Sequence, residues 1–301
     1  MSIIENALKK AGKQGLINTA EKASVVDTPV SHQTPITELH DESPKTKPST
    51  IKASLEPQVF IDWDKLSKDG FIDQNNTKSQ LAEEFRSIKR PLVNNIQGKS
   101  SNGIEHANLI LICSSLPGEG KTFVSINLAL SLANERDKNV LLIDADVEKP
   151  SISKHLGIKP AKGLIEYLED PSISFSEICL KTDSPNLSII PAGKKHKYST
   201  ELLSSQRMYL FAEEISRRYK DRIVIFDSPP LLVATQAPIL AELVGQVVLV
   251  VAAEETPQNI VSEGIAKLSK CDVVMTLLNK TRRDIDVYGY SYGYGHYGHS
   301  S

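Results

Sequence analysis

Cysteine is scarce in this chain, and the three present, Cys113, Cys179 and Cys271, stand far apart. Such spacing excludes a disulfide framework and a thiolate metal site, so they read as reduced core thiols and point to the cytoplasm. No apolar run approaches the roughly 18 residues a membrane helix requires, and MSIIENALKK has an early Glu and no apolar h-region. Neither a membrane span nor a signal peptide is readable, so membrane association would come through a partner. Charge of one sign is also lacking: 35 Lys and Arg against 37 Asp and Glu give a formal net charge of −2, without a long basic block. Nucleic acid is therefore not an expected partner. The one tryptophan, Trp63, reads as a structural anchor.

What the chain does have is ordinary globular composition, 40% hydrophobic and 24% charged, and one distinctive stretch, LILICSSLPGEGKT at residues 109–122. An apolar strand delivers the chain to a Gly-rich turn closed by Lys and Thr, the pattern of a phosphate-binding loop. Pro117, Gly118, Glu119 and Gly120 form the turn, and its glycines can adopt backbone angles that aim N–H groups at a polyphosphate. Lys121 is placed for the β/γ-phosphates and Thr122 for Mg²⁺, while Phe123 opens a following helix expected to be amphipathic, FVSINLALSLA. Ser115 stands where the full pattern has its first Gly.

Around that loop the chain divides into four parts. Residues 1–17 space Ile3, Ile4, Ala7, Leu8 and Ala11 as a short amphipathic helix, which reads equally as a docking helix or a frayed terminus. Residues 18–58, rich in Ser, Thr, Pro and Lys, read as a disordered linker. Residues 59–280 carry the folded domain, beginning with an apolar cluster of Phe60, Ile61, Trp63 and Leu66. Ser79 caps an expected helix that Pro91 limits, and Glu83, Arg86 and Lys89 recur along it as a solvated face or an interface strip. NVLLIDADVEKP ends a strand at Asp144 and Asp146, and RIVIFDSPP ends another at Asp227, carboxylates at strand ends where doubly wound sheets bind ligands. Helical segments GLIEYL and ELLSSQRMYLFAEEISRRY flank one strand-like run, LSIIPAG; QVVLVVAA and DVVMTLLNK add two more strands around a helix near 257–269. The expectation is an α/β fold of the P-loop NTPase type, a doubly wound, mostly parallel sheet flanked by helices. Asn279, ending the last strand, reads as a turn residue or a purine contact. Residues 281–301 interleave Tyr288, Tyr290, Tyr292, Tyr294 and Tyr297 with glycines, a flexible hydroxyl-bearing tail; His296 and His299 alone make a thin metal site.

The loop, the twin-Asp strand end, the DSPP strand end and the tyrosine cluster together resemble the bacterial tyrosine kinases, over roughly residues 60–301. The opening SIIE-like helix, loose linker and EEFRxIKRPL segment look most like the exopolysaccharide autokinases of exosortase (PEP-CTERM) loci. The resemblance implies an ATP- and Mg²⁺-dependent protein-tyrosine autokinase. In it Lys121 and Thr122 match Walker A, Asp144 and Asp146 match Walker A′, and Asp227 matches Walker B. Thr122, Asp146 and Asp227 would hold Mg²⁺, Asp144 would accept the hydroxyl proton, and the five tail tyrosines would be phosphoacceptors. Glu83, Arg86 and Lys89 match an E-x-x-R-x-x-R oligomerisation motif, with Lys in the last position. Glu148 departs from D-x-D-x-R, where Arg is expected. Implied partners are a ring-like homo-oligomer, a membrane-embedded polysaccharide chain-length determinant that recruits and activates the kinase at the inner membrane face, and a phosphotyrosine phosphatase. The rivals are a partitioning or septum-site ATPase switch, whose signature lysine would stand at Leu116, and a nucleotide-loaded regulator that acts by binding alone.

Overall fold

Four apolar residues suffice to begin a buried strand, and Leu109–Ser114 (β1) runs through the middle of a seven-stranded sheet with all six residues buried. The computed structural model describes residues 59–73, 78–98, 103–135, 137–218 and 222–282. The expected N-terminal helix, the linker and the tyrosine-rich segment lie outside the described residues, apart from residues 281 and 282. The described elements before β1 are α1 (Trp63–Lys68) and α2 (Gln80–Ile96). After it come α3 (Lys121–Ala133), β2 (Asn139–Asp144), α4 (Ile152–Leu156), α5 (Leu164–Glu169), α6 (Phe175–Ile178), β3 (Leu180–Lys181), β4 (Leu187–Ile190), α7 (Ser199–Leu203) and α8 (Gln206–Arg218). β5 (Arg222–Asp227), α9 (Gln236–Ala241), β6 (Gln246–Ala252), α10 (Gln258–Lys267) and β7 (Val273–Asn279) complete it.

Across the sheet the order is β3-β4-β2-β5-β1-β6-β7, with every neighbouring pair parallel except β3 and β4. Crossover helices between parallel strands give this doubly wound arrangement. The strand-like run expected between 163 and 220 is β4; the two-residue β3 is too short to show as an apolar run.

Central strands are covered on both faces, so they feed two cores. Leu109, Leu111, Leu141, Ile143, Val224 and Phe226 pack in a layer with Leu164, Phe211 and Leu240 of α5, α8 and α9. Ile110, Ile112, Val140, Leu142, Ile223 and Ile225 pack with Leu66, Phe85, Leu128 and Leu156 of α1 to α4. Each such side chain contributes about 1.5–3 kcal/mol by leaving water, which is why these strands read as unbroken apolar runs.

Four local expectations are corrected. α3 is not amphipathic: residues 124–133 are all buried, because α2 packs on it and its polar groups are served internally. Asn127, for example, accepts from Ile72 N at 2.7 Å and donates to Phe123 O at 2.9 Å. Pro91 does not stop α2, which continues to Ile96; Pro91 and Ser87, whose carbonyl loses its helical partner, are both exposed, so the lost bond falls on the solvent side of the helix. The helix read through ELLSSQRMY breaks at Ser204 and Ser205, where Ser205 Oγ accepts from Met208 N and caps α8. Phe60 is 70% exposed although Ile61 and Leu66 are buried. The extended segment is pinned by Val59 N donating to Lys181 O and Ile61 N to Asp183, and extended backbone turns alternate side chains outward. Trp63 does act as an anchor, donating Nε1 to Asp183 Oδ2 at 3.0 Å.

Parallel pairing lines up the C-terminal ends of β1, β2, β5, β6 and β7 on one edge. Asp144 stands directly opposite Asp227 in the β2–β5 register.

Candidate active site

Beyond β1 the chain turns back through two glycines in the left-handed region, Gly118 (φ 85°) and Gly120 (φ 96°), before α3 begins at Lys121. Gly120 has a second reason to lack a side chain: a Cβ there would collide with Asn279 Nδ2. That amide donates to Glu119 O at 2.9 Å and holds the loop against the end of β7. Ser115, in place of the pattern's first Gly, fits because α10 has Gly264 opposite it, where a Cβ would strike Ser115 Oγ. The first-turn N–H groups of α3 lack carbonyl partners in their own helix, which suits an anion at this point.

Three carboxylates converge below the loop. Lys121 Nζ pairs with Asp146 Oδ2 at 2.9 Å, with both side chains largely buried. Asp227 accepts from the Thr122 hydroxyl at 2.7 Å and the Ser125 hydroxyl at 2.9 Å. Asp144 Oδ2 accepts from Ser151 N and Ile152 N, both at 3.0 Å, while its Oδ1 is buried with no partner among the described residues. Burial, then the neighbouring Asp227, pushes the Asp144 carboxyl up to about 7. Burial also raises Asp227, to about 6, against the lowering influence of Lys121 and of the Thr122 and Ser125 hydroxyls. Two adjacent buried carboxylates that both resist ionisation form a place where a cation is favoured.

A cleft of about 460 Å³ opens over this floor. Pro117, Gly118, Lys121, Asp146, Glu148 and Lys149 line one side, and Pro229, Pro230, Val233, Ala234, Thr235 and Gln236 the other. Asp146 borders the cleft, whereas Asp144 has no exposed surface. Glu148 accepts from the Ser199 hydroxyl at the start of α7.

The structure thus brings Gly118, Gly120, Lys121, Thr122, Asp144, Asp146 and Asp227 together, with Pro117 on the rim. Other expected site residues are turned elsewhere. The Glu119 side chain is buried away from the cleft, accepting from Leu116 N at 2.6 Å and from Thr256 Oγ1. The Phe123 ring packs near Phe71 and Phe85, at centroid distances of 5.0 and 6.4 Å, because its position on α3 faces the α2 layer. The Asn279 amide nitrogen is engaged by the loop itself. Glu83 and Arg86 pair with each other on the exposed side of α2. Lys89 leaves that strip: its Nζ donates to Ser131 O at 2.8 Å and pairs with Glu135 at 2.9 Å, at the C-terminus of α3. Tyr288, Tyr290, Tyr292, Tyr294 and Tyr297 lie outside the described residues. Sequence reading missed Ser125, Ser151, Thr256 and Gly264. Ser125, one turn after Lys121, carries a legible helical spacing; the others come from distant segments and carry none.

A protein-family model described as an AAA domain matches residues 107–286. The tyrosine-protein kinase YwqD of Bacillus subtilis is 31% identical over 200 residues, 66% of this chain and 80% of YwqD. The succinoglycan biosynthesis transport protein ExoP of Rhizobium meliloti is 33% identical over 211 residues, 68% of this chain and 25% of ExoP. The solved kinase domain of the Escherichia coli tyrosine kinase ETK matches with a TM-score of 0.58 at 25% identity, covering 73% of this chain and 83% of that domain. The longer relatives are covered only in part: the chain spans 28% of the putative tyrosine-protein kinase EpsB of Ralstonia nicotianae. With the phosphate loop, its paired strand-end carboxylates and these matches across the folded domain, the chain belongs to the bacterial tyrosine kinase family of P-loop proteins.

Proposed function

We propose that the chain is an ATP-dependent protein-tyrosine autokinase that transfers the γ-phosphoryl group of ATP to its own C-terminal tyrosines, mainly between subunits. The carrying observation is the convergence of Lys121, Thr122, Asp146 and Asp227 under a left-handed glycine loop, with Lys121 and Asp146 lining the cleft above. Phosphoryl transfer needs little covalent work from the protein and much fixed charge, and these residues supply it.

The site fits Mg²⁺. Asp144 Oδ1 is an orphaned carboxylate oxygen beside Asp227, and the Thr122 hydroxyl is already held there. Mg²⁺ takes one or two carboxylates, a hydroxyl, waters and substrate phosphates, a donor set these side chains can supply. Thr122, Asp146 and Asp227 would hold the ion, which when bound neutralises charge on the phosphates. Lys121 and the loop N–H groups bind and orient the β/γ-phosphates; Glu119 and Phe123 contribute through their backbone, and Asn279 through its hold on the loop. The tyrosine hydroxyl attacks the γ-phosphorus, the bond to the β-phosphate oxygen breaks, and ADP leaves. We assign the hydroxyl proton to Asp144. Asp144 Oδ1 has no partner among the described residues, and the family resemblance gives this role to the first aspartate of the strand end.

If flexible, the residues past Asn279 would span about 25 Å on average and reach roughly 75 Å at full extension, so its own or a neighbouring cleft would be attainable. We assign transfer to the neighbour, in a ring-like homo-oligomer whose contacts include Glu83 and Arg86. Five phosphotyrosines at about −1.5 to −2 each would load converging tails with like charge and drive subunits apart. The biological setting is control of exopolysaccharide chain length, polymerisation and export, supported by the similarity to the succinoglycan biosynthesis transport protein ExoP. A membrane-embedded chain-length determinant would recruit the kinase to the inner membrane face and activate it, and a phosphotyrosine phosphatase would reset it. Among the described residues no helix is long and apolar enough to cross a membrane. The test mixes a Lys121→Ala chain with intact tail and an active chain whose five tail tyrosines are Phe. Phosphotyrosine on the Lys121→Ala chain is expected; its absence contradicts transfer between subunits.

A further inference from the structure

Glu119 is a carboxylate in the middle of a loop shaped for anions. It sits between the two left-handed glycines, 3% exposed, and is not part of the cleft wall. Its charge is turned away and tied down. Oε2 accepts from Leu116 N at 2.6 Å, closing the loop on itself, and Oε1 accepts from the Thr256 hydroxyl and, at 3.5 Å, from Ala252 N. The Glu119 carbonyl accepts from Asn279 Nδ2. One loop residue is therefore gripped from the ends of β6 and β7, and the grip on its side chain depends on a hydroxyl 137 positions away.

We infer that Thr256 is a positioning residue for the phosphate loop. Its hydroxyl fixes the Glu119 carboxylate, which fixes the Leu116 amide and the path of the chain between Gly118 and Gly120. Without the hydroxyl donor, Oε1 of the buried carboxylate keeps only the long contact to Ala252 N at 3.5 Å and draws on loop N–H groups meant for phosphate. The turn carrying Thr256 is joined to the segment after β7, since Glu255 pairs with Lys280 at 2.8 Å. The loop is thus braced from the strand that leads into the tyrosine-rich segment. This inference rests on the proposed nucleotide site but not on phosphoryl transfer.

The test uses the full chain with Thr256→Val, which keeps the shape and removes the hydroxyl, and Thr256→Ser, which keeps the hydroxyl. Amide exchange of residues 115–121 without added nucleotide and calorimetric Kd for Mg-ATP are the readouts, with exchange of β2 as the control for global stability. Thr256→Val is expected to speed loop exchange and weaken Mg-ATP binding, each by about tenfold, with β2 unchanged, and Thr256→Ser to stay within about twofold of wild type. Two results would overturn the assignment: a folded Thr256→Val chain with wild-type loop exchange and affinity, or a Thr256→Ser chain as impaired as Thr256→Val. If wild type binds Mg-ATP yet labels no tyrosine, the kinase reading fails while the Thr256 assignment stands on the same ratios.

Discussion

The Thr122 hydroxyl donates to Asp227 Oδ2 at 2.7 Å, joining the residue after the loop lysine to the carboxylate that ends β5. The distance depends on β1 and β5 being direct neighbours. Removing either partner should cost phosphorylation far more than stability, because fixed charge and geometry supply most of the rate. Thr122→Ala and Asp227→Asn are expected to lower the initial labelling rate by about a hundredfold or more, with Thr122→Ser retaining most of it. Initial rates on chains shown folded by circular dichroism check this.

Asp144 carries a burden that a neutral side chain would remove. Its carboxyl is raised to about 7 from the usual carboxylate range, so its neutral form stabilises the fold below about pH 4. That contribution is lost as pH rises through about 7. Asp144→Asn keeps an acceptor for Ser151 N and Ile152 N and cannot ionise. Measured with chelator, its stability advantage over wild type should grow from pH 5 to pH 8, reaching at least about 1 kcal/mol, while labelling is lost. An advantage that is constant with pH would contradict the assignment of the raised carboxyl.

Ser115 and Gly264 form a steric pair across β1 and α10. Glycine inside a helix is usually about 1 kcal/mol worse than alanine, so Gly264 is retained against propensity. Gly264→Ala should destabilise the chain when Ser115 is present and stabilise it in a Ser115→Gly background. A double-mutant cycle by denaturant unfolding reads the sign change.

Lys89 and the Glu83–Arg86 pair should separate by phenotype. Lys89 holds the last turn of α3, so Lys89→Ala is expected to lower stability by about 1–2 kcal/mol. Glu83 and Arg86 are exposed and pair only weakly, so their double alanine variant should leave the melting temperature unchanged and shift sedimentation toward smaller species.

The layout of the domain was legible because buried parallel strands are unbroken apolar runs and their ends gather the candidate site carboxylates Asp144, Asp146 and Asp227. Lys121 and Thr122 were legible because a phosphate loop constrains consecutive residues. What periodicity could not show was direction within a shared spacing: Glu83, Arg86 and Lys89 recur every third residue, yet Lys89 alone reaches inward, because α3 ends beneath it. Nor could it show partners from distant segments. Thr256 reaches Glu119 and Gly264 faces Ser115 only through the β1–β6–β7 pairing. The burial of α3 on all sides depends on α2 covering it, which its own sequence does not state.

The most direct measurement of the central claim is phosphotyrosine mass spectrometry of the purified full chain after incubation with Mg-ATP, alongside Lys121→Ala. The account predicts phosphate on Tyr288, Tyr290, Tyr292, Tyr294 and Tyr297 of the wild-type chain, dependent on Mg²⁺ and lost in the folded Lys121→Ala chain. Labelling of folded Lys121→Ala at the wild-type rate, or wild-type chains without phosphotyrosine even with the cytoplasmic segment of a membrane activator present, would contradict it.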